Sequence, residues 1–351
     1  MVRQYDFALS WDKNKCFFTG SLAADCRRKG LSFLWITIDT VDDVIRKLEK
    51  GRMRIGVLLD TEATYDIRGD VYARLAYAVK DAGGIVINDP DRTRFAVDKS
   101  VMHYELMNAG IETPYTVVIR NWEPRTFRLT EEEKKNLGIP FIIKPGCGWG
   151  HRGVVYNAAG TIREIARARN FDRGDNFLLQ EKVYPLELNK KRAWFRVFHI
   201  FDKIIPCWWD DRTSNYGHVT GEEFEKYRLN TLVRYVTRIA KMTDMSWFSS
   251  EIALEKKKSR TRFVAIDYVN DQCDMEAKSE SKDGVPDNIV KLTAYSLVHK
   301  AHQLIKKKKK KIPKQYTILL KGISGRKAVR GLGYAPELLA PHIPEPKKRK
   351  Q

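Results

Sequence analysis

No apolar run in the 351-residue chain approaches the length needed to span a bilayer, and the stretch MVRQYDFALSWDKNK at its start has no signal-peptide core. These absences set the expectation of a cytoplasmic protein with no membrane partner. Cysteines at 16, 26, 147, 207 and 273 include no C-x-x-C pair, and their number is odd, which argues against a disulfide framework or a zinc ribbon. No G-x-x-x-x-G-K-[ST] occurs, so there is no P-loop. Neither H-R-D nor D-F-G is present, which disfavours a protein kinase. There is no internal repeat.

Positive charge, by contrast, is abundant and unevenly placed. The formal net charge is +20, and from Lys306 onward 15 Lys or Arg stand against 2 acids, so this segment holds +13 of it. The runs Lys306 to Lys311 and Lys347 to Lys350 read as solvated charge on a helix end and a terminus. Binding of nucleic acid or an acidic partner is the alternative use.

The first 95 residues alternate apolar strands (FALSW, SFLWITI, RIGVLLD, GIVIND) with amphipathic helices, which implies a parallel sheet with helices on its faces. One helix is expected from about Phe95 to Asn108, closed by Gly110, followed by a strand at YTVVI and a charged connection over 121–138. A hairpin turning at Asp202-Lys203 is expected within RAWFRVFHIFDKIIPCWWDDR. After it come a helix over EKYRLNTLVRYVTRIAKM, two strands, SSEIALE and RFVAIDYVND, and a long closing helix.

The stretch IPFIIKPGCGWGHRGVVYN places Lys144 at the end of an apolar run, then glycine at 146, 148, 150 and 153, then a second apolar run. Gly148, Gly150 and Gly153 satisfy G-x-G-x-x-G, but a dinucleotide turn requires a helix directly afterwards, and VVYN reads as a strand. The pattern is therefore a strand, a glycine flap and a strand. A hairpin loop without chemistry is the plain alternative. Lys144 counts against it, because a strand-end lysine beside bare backbone amides suits phosphate. Further on, Glu251 lies on one strand, and Asp267 and Asn270 at the end of its neighbour. These are hard oxygen donors of the kind that bind Mg²⁺ beside a polyphosphate. Carboxylates that only cap loops or pair with Lys256 to Lys258 are the structural alternative. Asp267 and Asn270 are separated by two residues, so strand alternation would send them to opposite faces unless the strand ends or bulges there. Asp271 is the fallback ligand.

Taken in order, Lys99 in VDKS, Lys144 in IIKPG, Gln180 to Val183 in QEKV, Arg196 in WFRVF, Arg212 in DDR, Glu251 in SSEIAL, and Asp267 with Asn270 in AIDYVND resemble the ATP-grasp superfamily over roughly residues 1 to 300. The resemblance implies an α/β protein. Residues 1–95 would form an N-terminal parallel-sheet domain, 96–178 a lobe carrying the flap, 179–305 a lobe carrying the metal site, and 306–351 a basic tail. It implies ATP and Mg²⁺ as cofactors, with Lys99 and Lys144 on the phosphates and the flap Gly146, Gly148, Gly150 and Gly153 above them. Main-chain groups of Glu181, Lys182 and Val183 would bind the adenine edge, with Gln180 also among the cofactor-binding residues, Glu187 the ribose, and Glu251, Asp267 and Asn270 the metal. Arg196 and Arg212 would neutralise the transferring phosphoryl group or hold a substrate carboxylate.

The activity so implied is ligation of a carboxylate to an amine or thiol through an acyl phosphate, with small-molecule or peptide substrates. A small-molecule kinase of the same fold and a basic nucleic-acid-binding protein are the alternatives. The acceptor pocket is expected around Trp208, Trp209, Asp210, Arg212 and the loop 213–222, and a homodimer is left open.

Overall fold

The structure is a computed structural model that describes residues 2–148 and 150–311, with side chains as far as 308. The run Lys347 to Lys350 and the rest of the segment beyond 311 lie outside the described residues. The chain divides into two compact units, Met1–Ile305 and Lys306–Gln351.

The opening elements are β1 (Arg3–Ser10), α1 (Phe17–Arg28), β2 (Phe33–Ile36), α2 (Ile38–Glu49), β3 (Met53–Leu59), α3 (Val71–Asp81) and β4 (Ile85–Ile87). The four strands form a parallel sheet in the order β2-β1-β3-β4. Alternation along β1 sends Phe7 and Leu9 to the core shared with Phe18 and Leu22 of α1. Ala8 faces the core built by Val41, Val44 and Ile45 of α2 and Leu75 and Val79 of α3. Period-2 strands and period-3.6 helices thus meet as their apolar patterns require.

Next come α4 (Pro90–Val97), α5 (Lys99–Asn108), β5 (Thr116–Ile119), α6 (Glu131–Leu137), β6 (Phe141–Pro145), β7 (Val155–Ala158), α7 (Ile162–Ala168) and β8 (Phe177–Gln180). Their antiparallel sheet has the order β5-β8-β6-β7. The segment expected as one helix from Phe95 is two, broken at Asp98. Its backbone is extended there, and its carboxylate accepts from the N–H groups of Ser100 and Val101. An aspartate that caps a new helix ends the old one, and Lys99 becomes the first residue of α5. The charged connection also holds α6, started by a reciprocal Thr130–Glu133 capping box.

The remaining elements are β9 (Glu187–Leu188), β10 (Lys191–Arg192), β11 (Trp194–Ile200), β12 (Lys203–Trp209), β13 (Tyr216–His218), α8 (Gly221–Lys226), α9 (Asn230–Thr243), β14 (Trp247–Lys257), β15 (Arg260–Asn270) and α10 (Asp287–Lys311). Strands β9 and β10 pair with each other, and the rest form a five-stranded sheet, β13-β12-β11-β14-β15, antiparallel throughout. The hairpin turns at Phe201-Asp202, one residue earlier than expected, with Phe201 at φ 55°. The helix expected over 225–242 is interrupted between α8 and α9, where Arg228 takes φ 52°. Leu232, Val236 and Ile239 of α9 cover Phe195 and Val197 of β11 on one face, while Val290, Leu297 and Ala301 of α10 share the core with Phe198 and Ile200 on the other.

Candidate active site

The strand end that carries Lys144 faces the strand pair that carries the acids. Lys144 closes the apolar run of β6 and is 9% exposed, and its Nζ donates to the Ile266 carbonyl at 3.0 Å and lies 5.5 Å from the Tyr268 ring centroid. Burial depresses its pKa to about 8. Asp267 and Glu251 oppose the shift, and Lys99 adds to it. Beneath it the Tyr268 hydroxyl accepts from Gln180 Nε2 at 3.2 Å and shares a 3.0 Å hydrogen bond with His103 Nδ1. Burial and the Lys144 charge hold His103 near a pKa of about 4, and so neutral.

Lys99 reaches the same place from the start of α5. Its Nζ donates to the Gly148 carbonyl at 2.8 Å and lies 3.5 Å from Asp267 Oδ1, while its backbone N–H donates to the Gly146 carbonyl at 2.9 Å. Helix and glycine loop are therefore tied at two points. The root of the loop is held as well. Asp175 accepts from the N–H groups of Cys147 and Asn176, each at 2.7 Å, and Gly146 N–H donates to the Asn176 carbonyl at 2.7 Å. A Cβ on Gly146 would lie 2.9 Å from Asp175 Oδ1, 3.2 Å from the Asn176 carbonyl oxygen and 3.3 Å from Asp98 Oδ1, so any other residue here requires the aspartates that hold the loop to shift. Gly150 and Gly153 take φ of 58° and 72°, conformations that favour glycine. Burial, aided by Asp98 and Asp172, raises the Asp175 pKa to about 7.

Arg196 and Glu251 pair across β11 and β14 in register and form a buried salt bridge, each residue 9% exposed. Trp194 Nε1 donates to the other Glu251 oxygen at 3.2 Å, and the Arg196 guanidinium stacks 4.8 Å from the Trp209 ring. Burial opposes the guanidinium charge, but Glu251 and Asp267 hold the arginine ionised. Burial and the nearby Asp267 push the Glu251 carboxyl up. Burial acts on Asp267 in the same sense, yet Lys99, Lys144 and Arg196 outweigh it and hold that carboxyl below its usual range.

The register between β14 and β15 resolves the spacing of the acid and the amide. Ser249 pairs with Asn270 and Glu251 with Asp267, so two steps on one strand match three on the other, and a bulge lies between. The bulge brings Asn270 into the group with Asp267. With its amide turned to suit its neighbours, the Asn270 oxygen accepts from Arg196 Nη1 at 2.8 Å and its nitrogen donates to the Gln272 carbonyl at 3.2 Å. Burial, with Asp60 of the N-terminal sheet nearby, raises the pKa of Asp271 to about 7 against the opposing charge of Lys99.

The other candidates are spread around this group. Gln180 is buried and also donates to Thr116 Oγ1. Glu181 is committed to structure: its N–H donates to the Tyr115 carbonyl, and its carboxylate pairs with Lys257 at 2.5 Å and with Arg262 at 3.6 Å. Lys182 donates to Asn157, Val183 is buried, and Glu187 is exposed on β9. Arg212 is exposed in the loop after β12, and its described contact is a backbone one, to Asp210. Trp208 and Trp209 are buried: Trp208 donates to Glu223 and Trp209 lies under Arg196. Sequence reasoning missed Asp98, Asp175 and Tyr268. The first had a readable signal, Asp-Lys-Ser at a helix start.

Among the described residues no three His, Cys, Asp or Glu side chains cluster as a metal site. The group instead offers two carboxylates and an amide, and Asp267 Oδ1 is buried with Lys99 Nζ 3.5 Å away. Hard oxygen donors of this kind fit a divalent cation carried in with phosphate oxygens, whose charge the neighbouring ammonium groups and guanidinium would also meet.

Comparison with solved structures places this geometry in a known fold. The chain is similar to D-alanine–D-alanine ligase from Bacillus anthracis complexed with ATP, at 14% identity and a TM-score of 0.58, covering 87% of this chain and 99% of that one. It is also similar to a RimK domain ATP-grasp protein from Sphaerobacter thermophilus (15%, 0.57, 83% and 98%) and to the ATP-grasp ligase PsnB complexed with minimal precursor, Mg and ADP (12%, 0.53, 86% and 98%). No family model and no curated protein matches the sequence. The chain has the ATP-grasp fold, an N-terminal parallel-sheet domain followed by two grasp lobes. Among the described residues no helix is long and apolar enough to cross a membrane.

Proposed function

We propose that the protein is an ATP- and Mg²⁺-dependent ligase that joins a carboxylate to an amine or thiol through an acyl phosphate, releasing ADP and phosphate. The observation that carries this reading is the convergence of Lys99, Lys144 and Arg196 on the Asp267 carboxylate beside a glycine loop, with Lys99 ion-paired to Asp267 Oδ1 at 3.5 Å. The fold adds weight, because solved relatives of the same architecture are named as ligases and as complexes with ATP, or with Mg and ADP.

In this reading Lys144 sits beneath the β- and γ-phosphates, and Lys99 turns from Gly148 and Asp267 to the same oxygens. The loop Gly146–Gly153 covers the phosphates and excludes water. Glu251, Asp267 and Asn270 would hold Mg²⁺, which supplies charge neutralisation to phosphate oxygens when bound. Main-chain groups of Lys182 and Val183 meet the adenine edge, since the Glu181 N–H is already engaged, and Glu187 takes the ribose hydroxyls.

A substrate carboxylate oxygen attacks the γ-phosphorus, the bond to the bridging oxygen breaks, and ADP leaves with the electron pair. The amine nitrogen then attacks the acyl carbon, the carbon–oxygen bond to phosphate breaks, and the nitrogen gives up a proton. Arg196 stabilises the phosphoryl charge from a site where Glu251 and Trp209 fix its fork. Arg212, on its exposed loop, is free to hold the incoming carboxylate.

Thermal unfolding tests the reading. Mg-ATP at about 100 times its dissociation constant should stabilise the fold by about 2.7 kcal/mol and raise the midpoint by several degrees, and Lys144→Ala should blunt the rise. A duplex that shifts the midpoint where Mg-ATP does not would point to nucleic-acid binding. ADP release with a stable phosphorylated product and no amine requirement would point to a kinase.

A further inference from the structure

A concavity of about 460 Å³ lies at the far end of the N-terminal sheet, lined by Arg3, Asp43, Arg46, Lys47, Lys50 and Arg52. Arg3 opens β1, and the other end of that strand, Ser10, bonds to Asp60 on the side of the candidate active site. At about 3.3 Å per residue the two ends stand roughly 23 Å apart. Five cations therefore face a single acid, well away from the phosphate group of lysines described above.

That acid is already spent. Asp43 pairs with Lys47 and, at 3.6 Å, with Arg46, and Arg3, Lys50 and Arg52 have no acidic partner among the described residues. The backbone that carries the cations is fixed, while their side chains reach solvent. Arg3 N–H donates to the Arg52 carbonyl at 2.9 Å, Arg52 N–H to the Lys47 carbonyl at 2.8 Å, and Lys50 N–H to the Arg46 carbonyl at 3.2 Å. The Arg3 guanidinium lies 5.9 Å from the Tyr5 ring centroid. Cations at the end of α2 offset its macrodipole, which accounts for Arg46, Lys47 and Lys50. It does not account for Arg3 and Arg52, which come to the same hollow from β1 and from the turn into β3.

We propose that this concavity binds a compact oligophosphate, a ligand with at least two linked phosphoryl groups, at a site separate from the candidate active site. Three arginines offer forks that match phosphate oxygens, and two lysines add point charge. The hollow has the volume of a small-molecule site, whereas a nucleic-acid backbone asks for an extended basic track. The proposal does not depend on the ligase reading.

The test is calorimetric titration of the full chain with sodium tripolyphosphate, without Mg²⁺, at 50 and 200 mM salt. The proteins are the wild type, Lys144→Ala and the double variant Arg3→Gln/Arg52→Gln, whose exposed positions leave the fold intact, as an unchanged unfolding midpoint would verify. Any binding by the terminal lysines is common to all three. Lys144→Ala is expected to keep a saturable site, and the double variant to weaken it about tenfold, with the loss larger at low salt. In Lys144→Ala, where the candidate active site is impaired, equal affinity for Mg-free ATP assigns the site to the phosphate chain alone, and tighter ATP binding that falls with Arg3→Gln/Arg52→Gln assigns it to a nucleotide; either supports the proposal. Identical titrations for the wild type and the double variant would overturn it, as would loss of all binding in Lys144→Ala. A single-stranded 20-mer that depends on Arg3 and Arg52 more steeply than tripolyphosphate does would overturn the compact-ligand assignment.

Discussion

Raising the pH from 7 to 9.5 should weaken Mg-ATP binding while the fold itself gains stability, and both effects trace to Lys144. Its pKa in the folded protein is about 8, depressed from 10.5 chiefly by burial. If phosphate binds only the ammonium form, affinity at pH 9 falls about tenfold relative to pH 7, because roughly nine-tenths of the free protein has lost the proton. The sign for folding is opposite. Between pH 8 and 10.5 the unfolded chain holds the proton that the folded chain has released, so stability rises with pH through that window, by roughly 3 kcal/mol if the whole shift is expressed. Below pH 8 both states are protonated and the cost is constant.

Calorimetry of Mg-ATP binding at several pH values measures the first effect, and denaturant unfolding without nucleotide measures the second. Lys144→Met should abolish ATP binding and the stability slope together, with no loss of fold. Affinity that stays flat to pH 9.5, or a slope that persists in Lys144→Met, would refute the reasoning.

Three further outcomes follow from the packing. Gly146→Ala should destabilise the protein by about 1–3 kcal/mol and raise the Mg-ATP dissociation constant, since its Cβ meets Asp175 and Asp98 at 2.9 and 3.3 Å; unfolding and calorimetry check both. Asp175→Ala removes the acceptor for Cys147 N–H at the root of the loop, and should speed tryptic cleavage after Arg152 several-fold without nucleotide. Glu251→Gln removes the paired counter-charge of buried Arg196, leaving only the more distant Asp267, and should cost about 3 kcal/mol, with Arg196→Leu/Glu251→Leu less damaging to the fold than either partner's removal alone; urea denaturation of the set gives the comparison.

The N-terminal sheet was legible because each strand and helix buries one face, so period and burial agree from β1 to β4. The glycine loop was legible because β6 and β7 flank it with apolar runs on both sides. Where the reading slipped, a local hydrogen bond overrode periodicity. Asp98 caps a second helix inside a continuous pattern, and Thr130 with Glu133 starts one inside a charged stretch. The bulge at Asp267 and Asn270 could be posed as a condition but not decided, because register depends on the partner strand. The paired tryptophans could be read either as core or as pocket lining, because an indole beneath a buried guanidinium and one on a substrate look alike in a string. The support of Asp175 for the loop, 28 residues away in sequence, left no local signal.

The most direct measurement is hydroxylamine trapping. The protein is incubated with Mg-ATP, a panel of carboxylates and hydroxylamine, and ADP and hydroxamate are quantified for the wild type and Lys144→Ala. The ligase reading requires that at least one carboxylate yield hydroxamate and ADP in equal amounts, with both lost in Lys144→Ala. ADP formed with a stable phosphate ester and no hydroxamate, or turnover that survives Lys144→Ala, would contradict it.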